Sequence, residues 1–298
     1  MTSDPAAAPL PAESGGILFV HAHPDDESIN NGATMAEYAA RGTRVTLVTC
    51  TRGELGEIIP PRYAHLAADR QDRLGEHRET ELAAAMRELG VDDHRFLGAP
   101  GEYRDSGMMG TEGNDAPESF WQADVEKAAD RLASVIREAR PRILVTYNEI
   151  GGYGHPDHIQ AHRVALRAVD LLEGSEHAVD RVYYNLMPRS VMSDVLESLR
   201  TGGDATGFVV PASVDDVAVM LEDDAMISVA VHAEEFAQAK AAAMRAHVTQ
   251  ITVEEPFYAL SDNVGMAVLG TEYYRQARGE LPEPGAPVRT DLFAGLAG

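Results

Sequence analysis

Cysteine is nearly absent from this chain: Cys50 is the only one in 298 residues. A disulfide within one chain is excluded, and such thiol usage fits a reducing compartment. Basic residues are also scarce. Twenty-five Lys and Arg against 48 Asp and Glu leave a formal charge of −23, which repels nucleic acid and anionic membrane and sets both aside as partners. Long apolar runs are missing, since no stretch approaches the roughly 20 unbroken apolar residues of a membrane helix. Met1–Gly15 has no Lys or Arg and is rich in Ala and Pro. It lacks the basic start and apolar middle of a signal peptide, and reads as a disordered lead-in to a cytoplasmic protein. No G-x-G-x-x-G follows the first apolar strand and no P-loop occurs, which counts against a nucleotide-binding module.

What remains is ordinary for a globular chain, with 44% hydrophobic and 24% charged residues. Strand-like and helix-like segments alternate. Ile17–His21 reads as a buried strand, Asn30–Ala40 as a helix stopped by Gly42, and Arg44–Cys50 as a β-branched strand. Glu76–Leu89 has apolar residues at helical spacing and ends at Gly90, Arg95–Leu97 suggests a short strand, and Asp124–Ala139 a helix. Arg142–Tyr147 is a strand, a helix begins near Asp157, and the strand Arg181–Met187 and a helix near Val191–Leu199 follow. This order implies an α/β fold, a Rossmann-like, doubly wound, mostly parallel sheet. We divide the chain into the lead-in at 1–15, a catalytic core at 16–190, and a C-terminal part at 191–298 that packs on that core and completes the same domain. In the last part only Ser228–His232 and Glu234–His247 suggest a strand and a helix.

Two segments carry chemistry. His21-Ala22-His23-Pro24-Asp25-Asp26-Glu27 directly follows the first strand, and Gly151-Gly152-Tyr153-Gly154-His155-Pro156-Asp157-His158 directly follows the fourth. Ligands of open α/β sheets bind at such carboxyl ends, where strand order reverses. His and Asp are normal zinc ligands, and a catalytic zinc takes three protein ligands and leaves a place for water. His23 and Asp26 from the first loop and His158 from the second would make that set. Iron(II) is compatible with the same donors. Asp25 is then a spare acid able to take a proton from a metal-activated water. His155 could stabilise an oxyanion or protonate a leaving amine, and Asp157 could orient an imidazole. Alone, either motif could be a helix cap with surface histidines; together at one sheet edge they define a metal site. His162 reads as a packing residue or a support behind the ligands rather than a fourth ligand, Cys50 as a buried thiol, and Glu222-Asp223-Asp224 as a solvated turn. The glycines at 151–154 are weak grounds for a phosphate cradle. A phosphoesterase would want a second metal and local positive charge, for which the sequence offers no ligands.

These motifs resemble those of the LmbE-like (PIG-L) family of zinc deacetylases. Longer stretches, HAHPDDESINNGAT, VTCTRGELGEI, RDSGM and GGYGHPDH, resemble its members that act on N-acetylglucosaminyl-inositol in mycothiol biosynthesis. The resemblance implies a Rossmann-like sheet, one zinc per subunit held by His23, Asp26 and His158, and a small amino-sugar substrate. It implies Asp25 as general base, His155 as the partner of the oxyanion or leaving group, and Tyr153 as a mobile group polarising the amide carbonyl. It further implies that Arg78, Asp105 and Glu57 line the sugar or inositol site; Asn263 could also reach it. The rival within the family is the mycothiol S-conjugate amidase, expected to carry a lysine soon after HPDDES, where this chain has Ile29-Asn30-Asn31.

Overall fold

Alternate residues of the first strand serve two different cores, which is what a strand covered on both faces requires. Ile17 and Phe19 pack with Met35, Leu82 and Met86 on one side, while Leu18 and Val20 pack with Leu132, Ile136, Val164 and Ala168 on the other. The computed structural model describes residues 15–202 and 206–296; all but the last residue of the expected lead-in lie outside them. The elements run β1 (Gly16–His21), α1 (Asp26–Ala40), β2 (Val45–Thr49), α2 (Leu74–Leu89), β3 (Asp93–Phe96), α3 (Val125–Ala139), β4 (Pro141–Thr146), the single turn α4 (Gly151–Gly154) and α5 (Pro156–Leu172). They continue with β5 (Arg181–Pro188), α6 (Arg189–Gly202), β6 (Leu221–Glu222), β7 (Val229–His232), α7 (Ala237–Ala246), β8 (Thr252–Glu254), β9 (Phe257–Ala259), β10 (Met266–Ala267) and β11 (Thr271–Arg278).

The main sheet has the order β3-β2-β1-β4-β5-β11-β7, with β6 beside β5. Strands β1 to β6 pair in parallel, and β11 is antiparallel to both β5 and β7. Strand order therefore reverses between β1 and β4, which opens a crevice between their carboxyl ends. Both motifs leave from those ends. The α/β, mostly parallel sheet expected from the sequence is the fold observed.

Two features depart from the sequence reading. Helix α1 starts at Asp26, not Asn30, because the carboxylates of Asp26 and Glu27 suit a helix N-terminus. The acids of the first motif are thus the first turn of a helix. The last third does more than pack on a finished sheet. Its strand β11 lies in the sheet beside β5, and Val229, Val231, Tyr274, Leu292 and Phe293 share a core with Ile17 and Phe19. Strands β8 to β10 form a separate antiparallel sheet, where Phe257 packs with Leu196 and Leu199 of α6. Among the described residues no helix is long and apolar enough to cross a membrane.

Candidate active site

Loops after β1, β2, β3 and β4 converge on one cluster. After β1, Pro24 leads into Asp25, whose φ of 116° is unusual for a residue with a Cβ. Such a conformation persists only where surroundings enforce it, and three hydrogen bonds do. Its N–H donates to Glu27 Oε2 (2.9 Å), its carbonyl accepts from Ile29 N–H (3.0 Å), and its carboxylate Oδ2 accepts from Arg78 Nη2 (2.9 Å). Burial raises the Asp25 carboxyl to about 7, with Arg78 opposing and Asp26 adding to the rise.

Asp26, His23 and His158 sit at mutual hydrogen-bond distances. His23 Nδ1 lies 3.4 Å from Asp26 Oδ2 and 3.3 Å from His158 Nε2, and His158 Nε2 lies 3.4 Å from Asp26 Oδ1. All three residues are buried. The outward side of each ring is occupied. His158 Nδ1 is 3.1 Å from the Gly151 carbonyl, which can only accept, so it carries the proton. His23 Nε2 is 3.2 Å from Asp157 Oδ2 and 3.8 Å from Asp105 Oδ1, both acceptors when ionised. With the proton on Nε2, two ring lone pairs and a carboxylate oxygen face one another. Such a cluster needs a cation at its centre. Without a metal, a proton on His23 supplies it: burial opposes that charge, yet Asp105, Asp157 and Asp26 hold its pKa well above the ordinary value. The His23 Nδ1–His158 Nε2 spacing fits a shared metal, because tetrahedral bonds of ~2.0–2.1 Å place ligand atoms about 3.3–3.4 Å apart; Asp26 meets the two rings through different oxygens, Oδ2 towards His23 and Oδ1 towards His158.

Ligand atoms of His23, His155 and His158 lie within 4.8 Å of one another, as do those of a second set, His23, Asp105, His155 and Asp157. The second set is the weaker candidate, because its carboxylates are already engaged. Asp157 accepts from Ser106 N–H (2.9 Å) and from the Ser106 hydroxyl. Asp105 accepts from Gly107 N–H (2.8 Å) and Leu55 N–H (3.3 Å). Asp26 is engaged through Oδ2, by His23 N–H (2.9 Å) and Tyr147 O–H (2.7 Å), which leaves Oδ1 facing His158.

His155 caps α5, its Nδ1 accepting from Asp157 N–H at 3.1 Å. The ring proton is therefore on Nε2. Burial, with His23 and His158 nearby, lowers its pKa to about 3, so it is a neutral donor. Tyr153 is 39% exposed, and its ring stands edge-on to His158 with centroids 5.0 Å apart. The glycines at 151–154 are no phosphate cradle. Gly151, Gly152 and Gly154 N–H are already taken by the Asn148 carbonyl, Asn148 Oδ1 and the Ile150 carbonyl.

The structure thus joins His23, Asp25, Asp26, Asp105, Tyr153, His155, Asp157 and His158. Three residues expected at the sugar behave differently. Arg78 is 2% exposed, and its guanidinium is bonded to Asp25 and to the Pro24 and Gly53 carbonyls. It fastens the acid, because a buried guanidinium takes the carboxylate and carbonyls nearest to it. Glu57 is exposed and forms no hydrogen bond or ion pair among the described residues. Asn263 lies in an exposed turn, with its amide donating to the Gly207 carbonyl at 3.0 Å and no bond to the cluster.

Sequence reading missed several supports. Tyr147, at the end of β4, stacks on His158 (4.2 Å between centroids), donates to Asp26 and accepts from Ala22 N–H. Its place in the strand RILVTY was the only signal. Glu27 and His247 form an ion pair with 0% exposure on both sides, His247 Nε2 lying 2.8 Å from Glu27 Oε1. Despite burial, each shifts the other toward its charged form, Glu27 downward and His247 upward. Glu222, expected in a solvated turn, accepts from Asn148 Nδ2 at 2.8 Å and lies 3.3 Å from Arg275 Nε.

Buried His and Asp donors at the switch point of this fold form a metal-capable centre, and the comparisons identify the class as hydrolytic deacetylases. Residues 18–169 match the PIG-L model, described as GlcNAc-PI de-N-acetylase. The chain is 55% identical over 289 residues to the 1D-myo-inositol 2-acetamido-2-deoxy-α-D-glucopyranoside deacetylase of Streptomyces avermitilis, covering 94% of this chain and 97% of that one. It is 57% identical to the protein of the same name from Streptomyces griseus, covering 96% and 90%. The crystal structure of the A40926 pseudoaglycone deacetylase Dbv21 shares the fold, with TM-score 0.54, 19% identity, and coverage of 91% of this chain and 100% of that chain. This chain belongs to the PIG-L family of deacetylases.

Proposed function

We propose that the chain hydrolyses the acetamide of 1D-myo-inositol 2-acetamido-2-deoxy-α-D-glucopyranoside, releasing acetate and the free amine, as a zinc enzyme of mycothiol biosynthesis. The single observation that carries the metal reading is that His158 Nε2 faces both His23 Nδ1 (3.3 Å) and Asp26 Oδ1 (3.4 Å), with a partner behind each of the three side chains. The substrate is supported by near full-length identity to relatives of that name. These three residues would hold the zinc, which when bound polarises a carbonyl and acidifies water. The lone buried thiol of Cys50 suits a cytoplasmic setting.

The other roles follow from the protein's own atoms. Asp25 receives the proton of the attacking water, and a carboxyl raised to about 7 is matched to that transfer near neutral pH. Arg78 and Glu27 fix its aim. His155 offers its Nε2 proton to the oxyanion or to the departing nitrogen, and Tyr153 presents its hydroxyl over the same crevice. Asp157 holds the His23 tautomer. Asp105, which approaches His23 from the side away from Asp26, would meet substrate hydroxyls.

The test is amine release from that substrate by the zinc-loaded chain, beside a chelated sample. Metal-dependent release is expected. A folded, metal-loaded sample that releases no amine here, yet cleaves the cysteinyl amide of mycothiol conjugates, would replace the deacetylase by the amidase.

A further inference from the structure

No hydrogen bond holds the Tyr153 side chain among the described residues. The ring–ring contacts of its side chain are with His158 and His155, at 5.0 and 6.2 Å between centroids. Its position is therefore set by the backbone of the turn Gly151–Gly154. Gly152, beside it, adopts φ 78° and ψ −58°, a conformation that costs a residue with a side chain and needs an outside hold. That hold is Asn148 Oδ1, which accepts the Gly152 N–H at 2.7 Å.

An Asn amide can serve this bond only one way round. Oxygen must face Gly152, and after a flip the NH2 would meet N–H, donor to donor. The orientation is fixed from behind. Glu222 Oε1 accepts from Asn148 Nδ2 at 2.8 Å, and a carboxylate tolerates only a donor there. Glu222 is in turn ion-paired with Arg275, whose Nε lies 3.3 Å from Oε2 without hydrogen-bond geometry, and Arg275 lies over the Tyr184 ring and pairs with Glu149 at 2.7 Å. A chain of contacts thus runs from β11 through β6 to the turn that carries Tyr153.

We propose that Glu222 is a positioning residue for the deacetylation, locking the Asn148 amide so that the turn presents Tyr153 to the crevice. The proposal rests on the reading of Tyr153 as a partner of the reacting carbonyl. Among the described residues Glu222 makes no hydrogen bond or ion pair with the cluster, so its loss removes no metal donor.

The experiment uses the zinc-loaded full chain and amine release from the inositol acetamido-glucoside, with Glu222→Ala, Glu222→Gln and Tyr153→Phe, and each Glu222 change combined with Tyr153→Phe. Metal content and protection of the Gly152 amide against exchange are measured alongside. Glu222→Ala should lower kcat on the order of 10-fold, less than the ~10²-fold a 1 Å misplacement can cause, with KM and metal content unchanged and Gly152 exchange faster. Glu222→Gln, whose carbonyl can still accept from Asn148, should recover most of the rate. In the Tyr153→Phe background, Glu222→Ala should have little further effect. Equal losses in both backgrounds, a loss of metal, or a wild-type rate for Glu222→Ala beside a slow Tyr153→Phe would overturn the proposal and leave the Tyr153 reading standing. A wild-type rate for Tyr153→Phe alone would instead remove Tyr153 from the reaction, and the proposal with it.

Discussion

The two loops that make the site are built in opposite ways. The segment after β1 contains no glycine between His21 and Asn31, runs straight into α1, and has its reactive acid bonded at backbone and side chain. The segment after β4 has glycine at 151, 152 and 154, each with positive φ, and carries a half-exposed tyrosine. One loop fixes charges that must not move, because a donor displaced by a fraction of an ångström no longer shares a metal. The other carries a group free of direct hydrogen bonds, placed through its backbone. The second loop also contains a fixed part: a Cβ on Gly151 would stand 2.6 Å from the His158 Cβ. The division of labour therefore falls inside the loop, between Gly151 and His158 on one side and Tyr153 on the other.

The comparison breaks most severely at the shared donors. His158→Ala should abolish metal retention, a loss beyond the roughly 10–100-fold typical of outer-shell changes, and activity should go with it. Metal analysis after gel filtration checks this, and full occupancy would remove His158 from the ligand set. Next is the fixed acid. Asp25→Asn should keep metal and fold while kcat falls by about 10²–10⁴-fold. In the wild-type enzyme kcat/KM should rise with pH through about 7 as Asp25 ionises, and a variant with that profile and rate intact would mean another group is the base.

The smallest effect concerns the support behind that acid. His247 is raised above 6.5, so its stabilising contribution is complete below that value and is lost as pH climbs through its folded pKa. Glu27 is depressed below 4.5, so its contribution is complete above that value and is lost as pH falls through its folded pKa. The pair therefore stabilises most between 4.5 and 6.5. Removing one partner of such a buried pair costs roughly 3–5 kcal/mol. His247→Gln should melt lower and, between about pH 6 and about pH 8, should lose less stability than wild type does. Parallel slopes would show that the pair does not titrate in this range.

The first two thirds were legible because period and punctuation agree there. Buried parallel strands are continuous apolar runs, helices α2 and α3 show apolar residues at helical spacing, and Gly90 and Pro141 mark ends. Both motifs could be placed because each follows such a strand. In the last third β7 and α7 were legible, at Ser228–His232 and within Glu234–His247, and the rest was opaque for a physical reason. Strand β11, TEYYRQAR, is full of polar and charged side chains, and each has a destination only the fold supplies: Glu272 takes the buried Lys240 ammonium at 2.8 Å, and Arg275 takes Glu149 and Glu222. Periodicity cannot report partners that lie between 32 and 126 positions away. Arg78 and Glu222 show the same limit, since a charged residue in a sequence looks equally suited to substrate, solvent or a buried carboxylate.

The pair of Glu27 with His247 joins residues 220 positions apart and has a consequence in time as well as in space. During synthesis both motifs and β1 to β5 are complete long before α7 leaves the ribosome. Until then Glu27 has no counter-charge, the bend at Asp25 lacks part of its hold, and β5 is an open edge waiting for β11. A nascent chain that stops short of α7 therefore holds both motifs while lacking the counter-charge of Glu27 and the strand that covers β5.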